Sequence, residues 1–407
     1  MIRRTLQDQL ERLATQHPVV TVTGPRQSGK TTLAKAAFPH HAYVSLEAPS
    51  ERALAHEDPL AFFDRFAGAG AILDEIQRAP GLTSHLQVIV DEDPTPGRFI
   101  LTGSQSLTLL DGVSQSLAGR TALLELLPLE LAEIQRFPRP PHDLDTILWQ
   151  GGYPRIHDRQ LPANEWLSDY TATYLERDVR SLLRVGDLDA FHTFLRLCAG
   201  HTGQLLNLAS LASDCGITQP TARSWISVLQ ASFIVFRLPP FHANLGKRLS
   251  RHPKLYFHDT GLAANLIGIG DPRQLATHPL RGALFENWVI SEIVKMHRHR
   301  AQRAELSFYR ERDRHEIDLL IDHGGRITAI EAKAGRTPSS EYFKAFPHFA
   351  ELVAARGDGR WQIDQAAVVY GGQESQRRSA GELIGWAALP DLDRLLEGNA
   401  PAGRSVS

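Results

Sequence analysis

Eight consecutive residues, Gly24-Pro25-Arg26-Gln27-Ser28-Gly29-Lys30-Thr31, have the make-up of a phosphate cradle. Their spacing is GxxxxGK[ST]. Glycines at both ends let the backbone curl with its N–H groups turned inward. A helix opening near Gly29 points its positive end at the same place. Lys30 then faces β- and γ-phosphates, the Thr31 hydroxyl ligates Mg²⁺, and Thr32 continues the loop. Farther along, "AGAILDEIQRAP" ends an apolar run in Asp74-Glu75. Asp74 is placed to hold Mg²⁺ through water, and Glu75 to polarise the attacking water. In "GRFILTGSQSL" a second apolar run ends in Thr102-Gly103-Ser104. Either hydroxyl can touch a γ-phosphate or the water, and Ser104 is counted with the nucleotide-binding residues. Arg120 closes a helical pattern before the strand Thr121–Leu126, an outward place from which it can reach a neighbouring subunit's γ-phosphate.

A second group of residues suits a hard cation. "HEIDLLID" and "RITAIEAK" alternate as strands around a Gly-Gly turn. Residues two apart share a face, so Glu331 and Lys333 point the same way. The hairpin register can bring Asp318 beside Glu331. Two carboxylates side by side suit Mg²⁺, and Lys333 beside them can act on water or phosphate. Glu286, on the helix before, can complete the metal set of Glu286, Asp318 and Glu331.

The elements that must position these residues are legible in outline. Apolar runs lead into the cradle, into Asp74-Glu75 and into Thr102-Gly103-Ser104, with helical patterns between them, which predicts a parallel sheet. Pro138, Pro140 and Pro141 mark a boundary. A mainly helical stretch follows, in which Gly151-Gly152 reads as a turn, and Arg177 and Arg180 share a helical face. "LLNLASLASDCGITQPTARSWISVLQASFIVFRLPPF" then reads as helix, tight turn, helix and strand, a winged-helix pattern with Trp225 in the core. Between Ala231 and His258 there is no acidic residue, while Arg237, Lys247, Arg248, Arg251 and Lys254 all fall there. Such cations supply sequence-independent phosphate contacts, or a basic face that docks on an acidic one.

Composition narrows the class. The chain has 407 residues, 42% hydrophobic and 22% charged, with a formal net charge of -2, so it is expected to fold as several domains, and any nucleic-acid site must be local. Cys198 and Cys215 are the only cysteines, with no CxxC pair, which points to a reducing, cytoplasmic setting. No signal peptide or run of transmembrane length is read, so no membrane partner is expected. The 18 histidines lack HExxH spacing and are read as surface and core residues.

The order of cradle, acid pair, polar strand end and arginine resembles the AAA+ ATPases. The strings "GPRQSGKTTL", "ILDEIQR", "FILTGSQS" and "LAGR" resemble the bacterial and archaeal ATPases typed by a "GPRQxGKTT" loop. "GGYP", "YLERDV", "KLYFHDTGLAANL" and "RGALFENWVISEIVKMH" resemble the C-terminal domain of unknown function associated with that core. The pattern Glu286, Asp318, Glu331, Lys333 resembles the PD-(D/E)xK nucleases. These resemblances imply an α/β protein: an AAA+-like P-loop parallel sheet (1–137), a helical linker or lid (138–200), a winged helix (201–258), a restriction-endonuclease-like α/β domain (259–390) and a disordered tail (391–407). ATP and Mg²⁺ are the implied cofactors, and a homo-oligomer is implied. No second arginine sensor stands out after the core. Two functions compete. One is ATP hydrolysis coupled to DNA processing by the nuclease-like domain. The other is a regulatory or defence ATPase, a nucleotide switch whose C-terminal domain binds protein or nucleic acid without cutting it.

Overall fold

The computed structural model describes residues 2–104, 116–175, 188–241, 252–302, 304–311, 315–355 and 359–396. Lys247, Arg248, Arg251, Arg177 and Arg180 lie outside the described residues. Helix α1 (Leu6–Ala14) buries Leu6, Leu10 and Ala14, the i, i+4, i+8 stripe of an amphipathic helix. Strand β1 (Val19–Thr23) runs into the cradle, and α2 (Lys30–Ala37) leaves it. Strands β2 (Ala42–Ser45), β3 (Ala71–Asp74), β4 (Phe99–Gly103) and β5 (Thr121–Glu125) complete a five-stranded sheet in the order β2-β3-β4-β1-β5. Every pairing in it is parallel.

The two faces of this sheet follow the strand period of two. Val20 and Val22 join Leu6, Leu10, Leu33, Ile72 and Ile100 on one face. Val19, Leu73, Leu101 and Phe99 pack with Phe62, Phe63 and Leu86 on the other. A strand covered on both faces must be mostly apolar, which is why β3 and β4 open on apolar runs and β1 is built of Val and Thr. Parallel pairing then sets Thr23, Asp74 and Gly103 at one edge, where the chemistry-bearing loops begin.

Helix α3 (Pro154–Arg159) belongs to a helical stretch after the sheet. Helices α4 (Leu188–Gly200), α5 (Leu208–Asp214) and α6 (Gln219–Ala231) follow. Asn207 caps the start of α5 and Thr218 the start of α6, so the opening of each helix is specified locally. Trp225 packs edge-on against Phe191 and Phe194, a core position as expected. Strands β6 (Val235–Leu238) and β7 (Lys254–Phe257) form an antiparallel pair.

Helix α7 (Arg281–His299) is, at 19 residues, the longest helix among the described residues. It buries Leu284, Phe285, Trp288, Val289, Ile290, Ile293 and Met296, and also the polar Asn287, Glu292, Lys295, His297 and His299. Burial along most of its length puts this helix inside the structure, although its sequence is not apolar all round. Beyond it, β8 (Glu305–Arg310), β9 (Glu316–Asp322), β10 (Arg326–Lys333), β11 (Gln362–Tyr370), β12 (Gln376–Arg378) and β13 (Gly381–Gly385) form a mixed sheet, order β12-β13-β11-β10-β9-β8. Helix α8 (Ala345–Ala354) packs on it through Phe346, Phe349 and Val353. One continuous core joins Tyr153, Phe191, Trp225, Phe257, Trp288 and Leu319.

One boundary moves. Residues 391–396, expected to begin a disordered tail, complete a 3₁₀ turn (Trp386–Leu392) and a helical turn (Asp393–Leu396). Leu389 and Leu392 are fully buried, and Arg300 pairs with Asp393, so burial and charge hold this segment down. Among the described residues, no helix is long and apolar enough to cross a membrane.

Candidate functional site

The cradle takes its shape from the backbone. Gly24 has φ +147°, and a Cβ there would lie 2.1 Å from the Leu126 carbonyl oxygen, so the loop can pass only as glycine. Gly29, at φ 95°, is the N-cap of α2. Lys30 is buried and donates to the carbonyls of Gly24 (3.0 Å) and Pro25 (2.8 Å), folded back over its own loop. Arg26, Gln27, Gly29, Lys30, Thr31 and Thr32 line a cavity of about 620 Å³, whose other walls carry Asp74 and Glu75. That volume lies within the ~300–1,000 Å³ usual for small-molecule and cofactor sites. Ser28 is fully buried behind the loop.

The acid pair meets the cradle. The Thr31 hydroxyl donates to Asp74 at 3.0 and 3.1 Å from its two carboxylate oxygens. A hydroxyl and a carboxylate converging beside a phosphate cradle form a donor set that fits Mg²⁺. Asp74 is also held by Tyr43 Oη (2.9 Å) and by Thr102 Oγ1. Burial, then the Asp74 charge, pushes the Tyr43 hydroxyl up to about 12, so Tyr43 stays a donor. Glu75 sits at φ 59°, ψ 45°, turning the chain from β3 into the 3₁₀ turn Ile76–Arg78. For a non-glycine residue that conformation costs about 1–3 kcal/mol. The carboxylate it aims accepts from Ser104 Oγ (3.1 Å) and from Gln77 Nε2. The two hydroxyls of β4's end therefore divide: Thr102 serves Asp74 and Ser104 serves Glu75.

Arg120 is elsewhere. Its carbonyl accepts from the N–H of Val19, the first residue of β1, so it stands at the sheet edge opposite the cradle. Its guanidinium grips both oxygens of Asp91 (2.5 and 2.8 Å) and does not line its own chain's cavity.

Several residues of this site escape sequence reasoning. Arg4, ahead of α1, donates to the Ser28 carbonyl behind the cradle. Arg155 and Arg159 on α3 also line the cavity, although no arginine after the core stood out in the sequence. Gln77 shares Glu75 with Ser104. Of these, Gln77 lies within "ILDEIQR" and Arg155 directly follows "GGYP", so only these two carry a sequence signal. Glu130, Glu133 and His299 bring ligand-type atoms within 4.8 Å of one another. Their carboxylates are already engaged by Arg4, Thr5 and Arg300, which makes this an ion-pair node.

The expected carboxylate pair of the C-terminal sheet does form. Asp318 N–H donates to Glu331 (3.3 Å), and Ala332 N–H donates to Asp318 (2.9 Å). Lys333 Nζ is 2.5 Å from Glu331. Glu286 on α7 accepts from Tyr256 Oη at 2.6 Å. Burial and the Asp318 charge push the Glu331 carboxyl up to about 8, against the pull of Lys333. The same two causes push Glu286 up to about 7, against Lys254. Lys254 overturns an expectation. It is 1% exposed, with Nζ 2.5 Å from Glu316, 2.8 Å from Glu286 and 3.5 Å from Asp318, so it is no surface phosphate contact. Burial alone would lower its pKa, but the three carboxylates outweigh burial and hold it raised. Where a nuclease resemblance implies a divalent ion, an ammonium already stands, so the donor set as arranged does not fit the ion. Arg237 remains exposed on β6.

Fold and cradle define a P-loop protein with an AAA-type core, and residues 16–135 match the family described as AAA domain. Residues 141–273 and 281–389 match two domains of unknown function, DUF8612 and DUF4143. The chain is 34% identical over 341 residues to "Uncharacterized protein Rv2008c" of Mycobacterium tuberculosis, covering 83% of this chain and 75% of that one. "Uncharacterized protein Mb2031c" of Mycobacterium bovis gives the same values. The chain belongs to the family of these proteins. Among solved structures, "The walker-type atpase paby2304 of pyrococcus abyssi" is 16% identical, covers 65% of this chain and 95% of that one, and has a TM-score of 0.44. AMPPCP-bound DnaA from Aquifex aeolicus is 16% identical, covers 55% and 85%, and has a TM-score of 0.31.

Proposed function

We propose that the protein binds and hydrolyses ATP with Mg²⁺ and works as a nucleotide switch, passing the state of its cradle to the helical and C-terminal units. The observation that carries this reading is the convergence of Thr31 and Asp74 beside the cradle, with Glu75 held next to them by Ser104 and Gln77. In this reading Lys30 leaves the Gly24 and Pro25 carbonyls for the β- and γ-phosphates. Thr31 and Asp74 hold Mg²⁺, which supplies charge neutralisation when bound. Glu75 takes the proton of the attacking water. Arg155 and Arg159, which line the same cavity, meet phosphate charge. Arg120, set away from its own cavity, acts on the γ-phosphate of a neighbouring copy in a homo-oligomer.

The route outward runs along α7. Its carboxyl-terminal half holds the segment after β5: Leu127 N–H donates to His299, Lys295 donates to the Leu129 carbonyl, and Leu131 N–H donates to Glu292. Its amino-terminal half carries Glu286 into the acid cluster. The division into 1–137, 138–200, 201–258 and 259–390 is the domain plan we propose. A winged helix is supported by α4–α6 and the β6–β7 pair, and an endonuclease-like fold by Asp318, Glu331 and Lys333 on adjacent strands. A cytoplasmic location is part of this reading, supported by two cysteines without a CxxC pair.

A second reading, ATP-coupled DNA processing, is favoured by the Asp318–Glu331–Lys333 contact alone. Linear and supercoiled DNA incubated with Mn²⁺, with and without ATP, tests it; cleavage lost in Asp318→Ala would support it. The switch is tested by thermal stability against ATP-Mg²⁺, which must rise for wild type and not for Lys30→Ala. A wild type unmoved at millimolar ATP would overturn it.

A further inference from the structure

We infer that the ammonium of Lys254 is the permanent cation of the C-terminal acid cluster, so the cluster takes up no divalent metal and does not cut phosphodiesters. An ammonium has three N–H donors and no acceptor. Three carboxylates surround this one, at 2.5 Å (Glu316), 2.8 Å (Glu286) and 3.5 Å (Asp318). The Nζ also lies 5.5 Å from the centre of the Phe308 ring. Glu331, the remaining acid, is met by Lys333 and by the Asp318 N–H. Glu316 has a further cation in Arg310, at 3.6 Å. Each acid the nuclease resemblance would assign to a metal thus already has a positive partner.

The lysine is not free to swing out. It is the first residue of β7, paired with Leu238 of β6 on one side and bridged to Leu205 on the other. The backbone is fixed on both flanks and the side chain is 2% exposed. Mg²⁺ demands near-octahedral oxygen ligands at ~2.0–2.1 Å and surrenders its water reluctantly. To enter, it would have to displace a buried ammonium held by three carboxylates, leaving that charge without its partners. The cluster therefore works as a junction. One lysine from the β6–β7 pair locks that unit to α7 through Glu286 and to β9 through Glu316 and Asp318.

This inference concerns the distal cluster and is independent of ATP. Its test is a Mn²⁺ titration of the nucleotide-free full chain, read by melting temperature and by Mn²⁺ electron paramagnetic resonance. Wild type is compared with Asp318→Asn, Lys254→Met and the double variant; any ion response of the cradle is common to all four and cancels. Wild type and Asp318→Asn should respond to Mn²⁺ identically. Lys254→Met should melt lower in EDTA and recover on the order of 5 °C with Mn²⁺. The double variant should lose that recovery. A wild-type Mn²⁺ response that Asp318→Asn removes would overturn the inference, as would a folded Lys254→Met with no response. If Lys254→Met does not fold, the wild-type comparison decides alone, with Glu331→Gln as its second variant.

Discussion

Arg4 Nη1 donates to the carbonyl oxygen of Ser28 at 2.7 Å, so a residue ahead of the first helix braces the cradle from behind. The same guanidinium reaches the Leu127 carbonyl (2.8 Å) and Glu133 (2.9 Å), whose side chain is fully buried. Arg4→Met would leave Glu133 without its closest cation, a loss of about 3–5 kcal/mol for a broken buried pair. ATP affinity should fall with it, because the loop loses its brace. Arg4→Lys, keeping charge but not the three-way fork, should fall between. Chemical denaturation and an ATP-Mg²⁺ thermal titration of both variants check this.

The division of labour between Thr102 and Ser104 is separable. Thr102→Val removes a donor to Asp74 and should weaken Mg²⁺-dependent ATP binding, by about 10–100-fold if it behaves as other residues that orient metal ligands. Ser104→Ala and Glu75→Gln should leave binding near wild type and slow hydrolysis, Glu75→Gln by about 10²–10⁴-fold as for a lost general base. Binding and turnover measured side by side distinguish them. A Ser104→Ala enzyme that loses binding and keeps its turnover rate would contradict the assignment.

For Arg120 the expected phenotype depends on mixing. Arg120→Ala alone should bind ATP and fail to hydrolyse it. Lys30→Ala, which keeps Arg120, should restore part of the activity when co-assembled with Arg120→Ala, since each copy supplies what the other lacks. Co-assembled mixtures without rescue would assign Arg120 to its pairing with Asp91.

The acid cluster predicts a pH effect with a definite sign. Glu331 has its carboxyl raised to about 8 from an ordinary value near 4.5. A raised carboxyl means the folded state binds a proton that the unfolded state has lost, so stability falls as pH climbs through this window. Glu331→Gln abolishes that fall. The melting temperature of the variant relative to wild type should therefore rise from pH 5 to pH 9, with a full span of a few kcal/mol. A difference flat across that range would show that Glu331 is ionised throughout.

The legible parts of this protein are those whose residues are contiguous. The cradle, the Asp74-Glu75 pair and the largely apolar runs of β1, β3 and β4 are each a local pattern, because a phosphate loop must be built from consecutive N–H groups and a doubly covered strand must be mostly apolar. The Asp318–Glu331 contact was legible too, since a two-glycine turn at Gly324-Gly325 fixes a hairpin register.

What only the tertiary structure decided are partnerships across long stretches of chain. Arg4 and Glu133 are 129 residues apart, and nothing between them announces the pair. Arg155 joins the cavity because α3 packs back beside Gly29, where the Pro154 side chain comes within 4.0 Å of a Cβ built on that glycine. Lys254 is the clearest case. In sequence it sits in a segment without acids and reads either as a phosphate contact or as part of a basic face that docks on an acidic one, with no partner named. In space, α7 and β9 bring Glu286, Glu316 and Asp318 around it. Coulomb attraction depends on distance through the fold and not along the chain, and burial strengthens it, so the folded structure alone made this lysine the centre of an acid cluster.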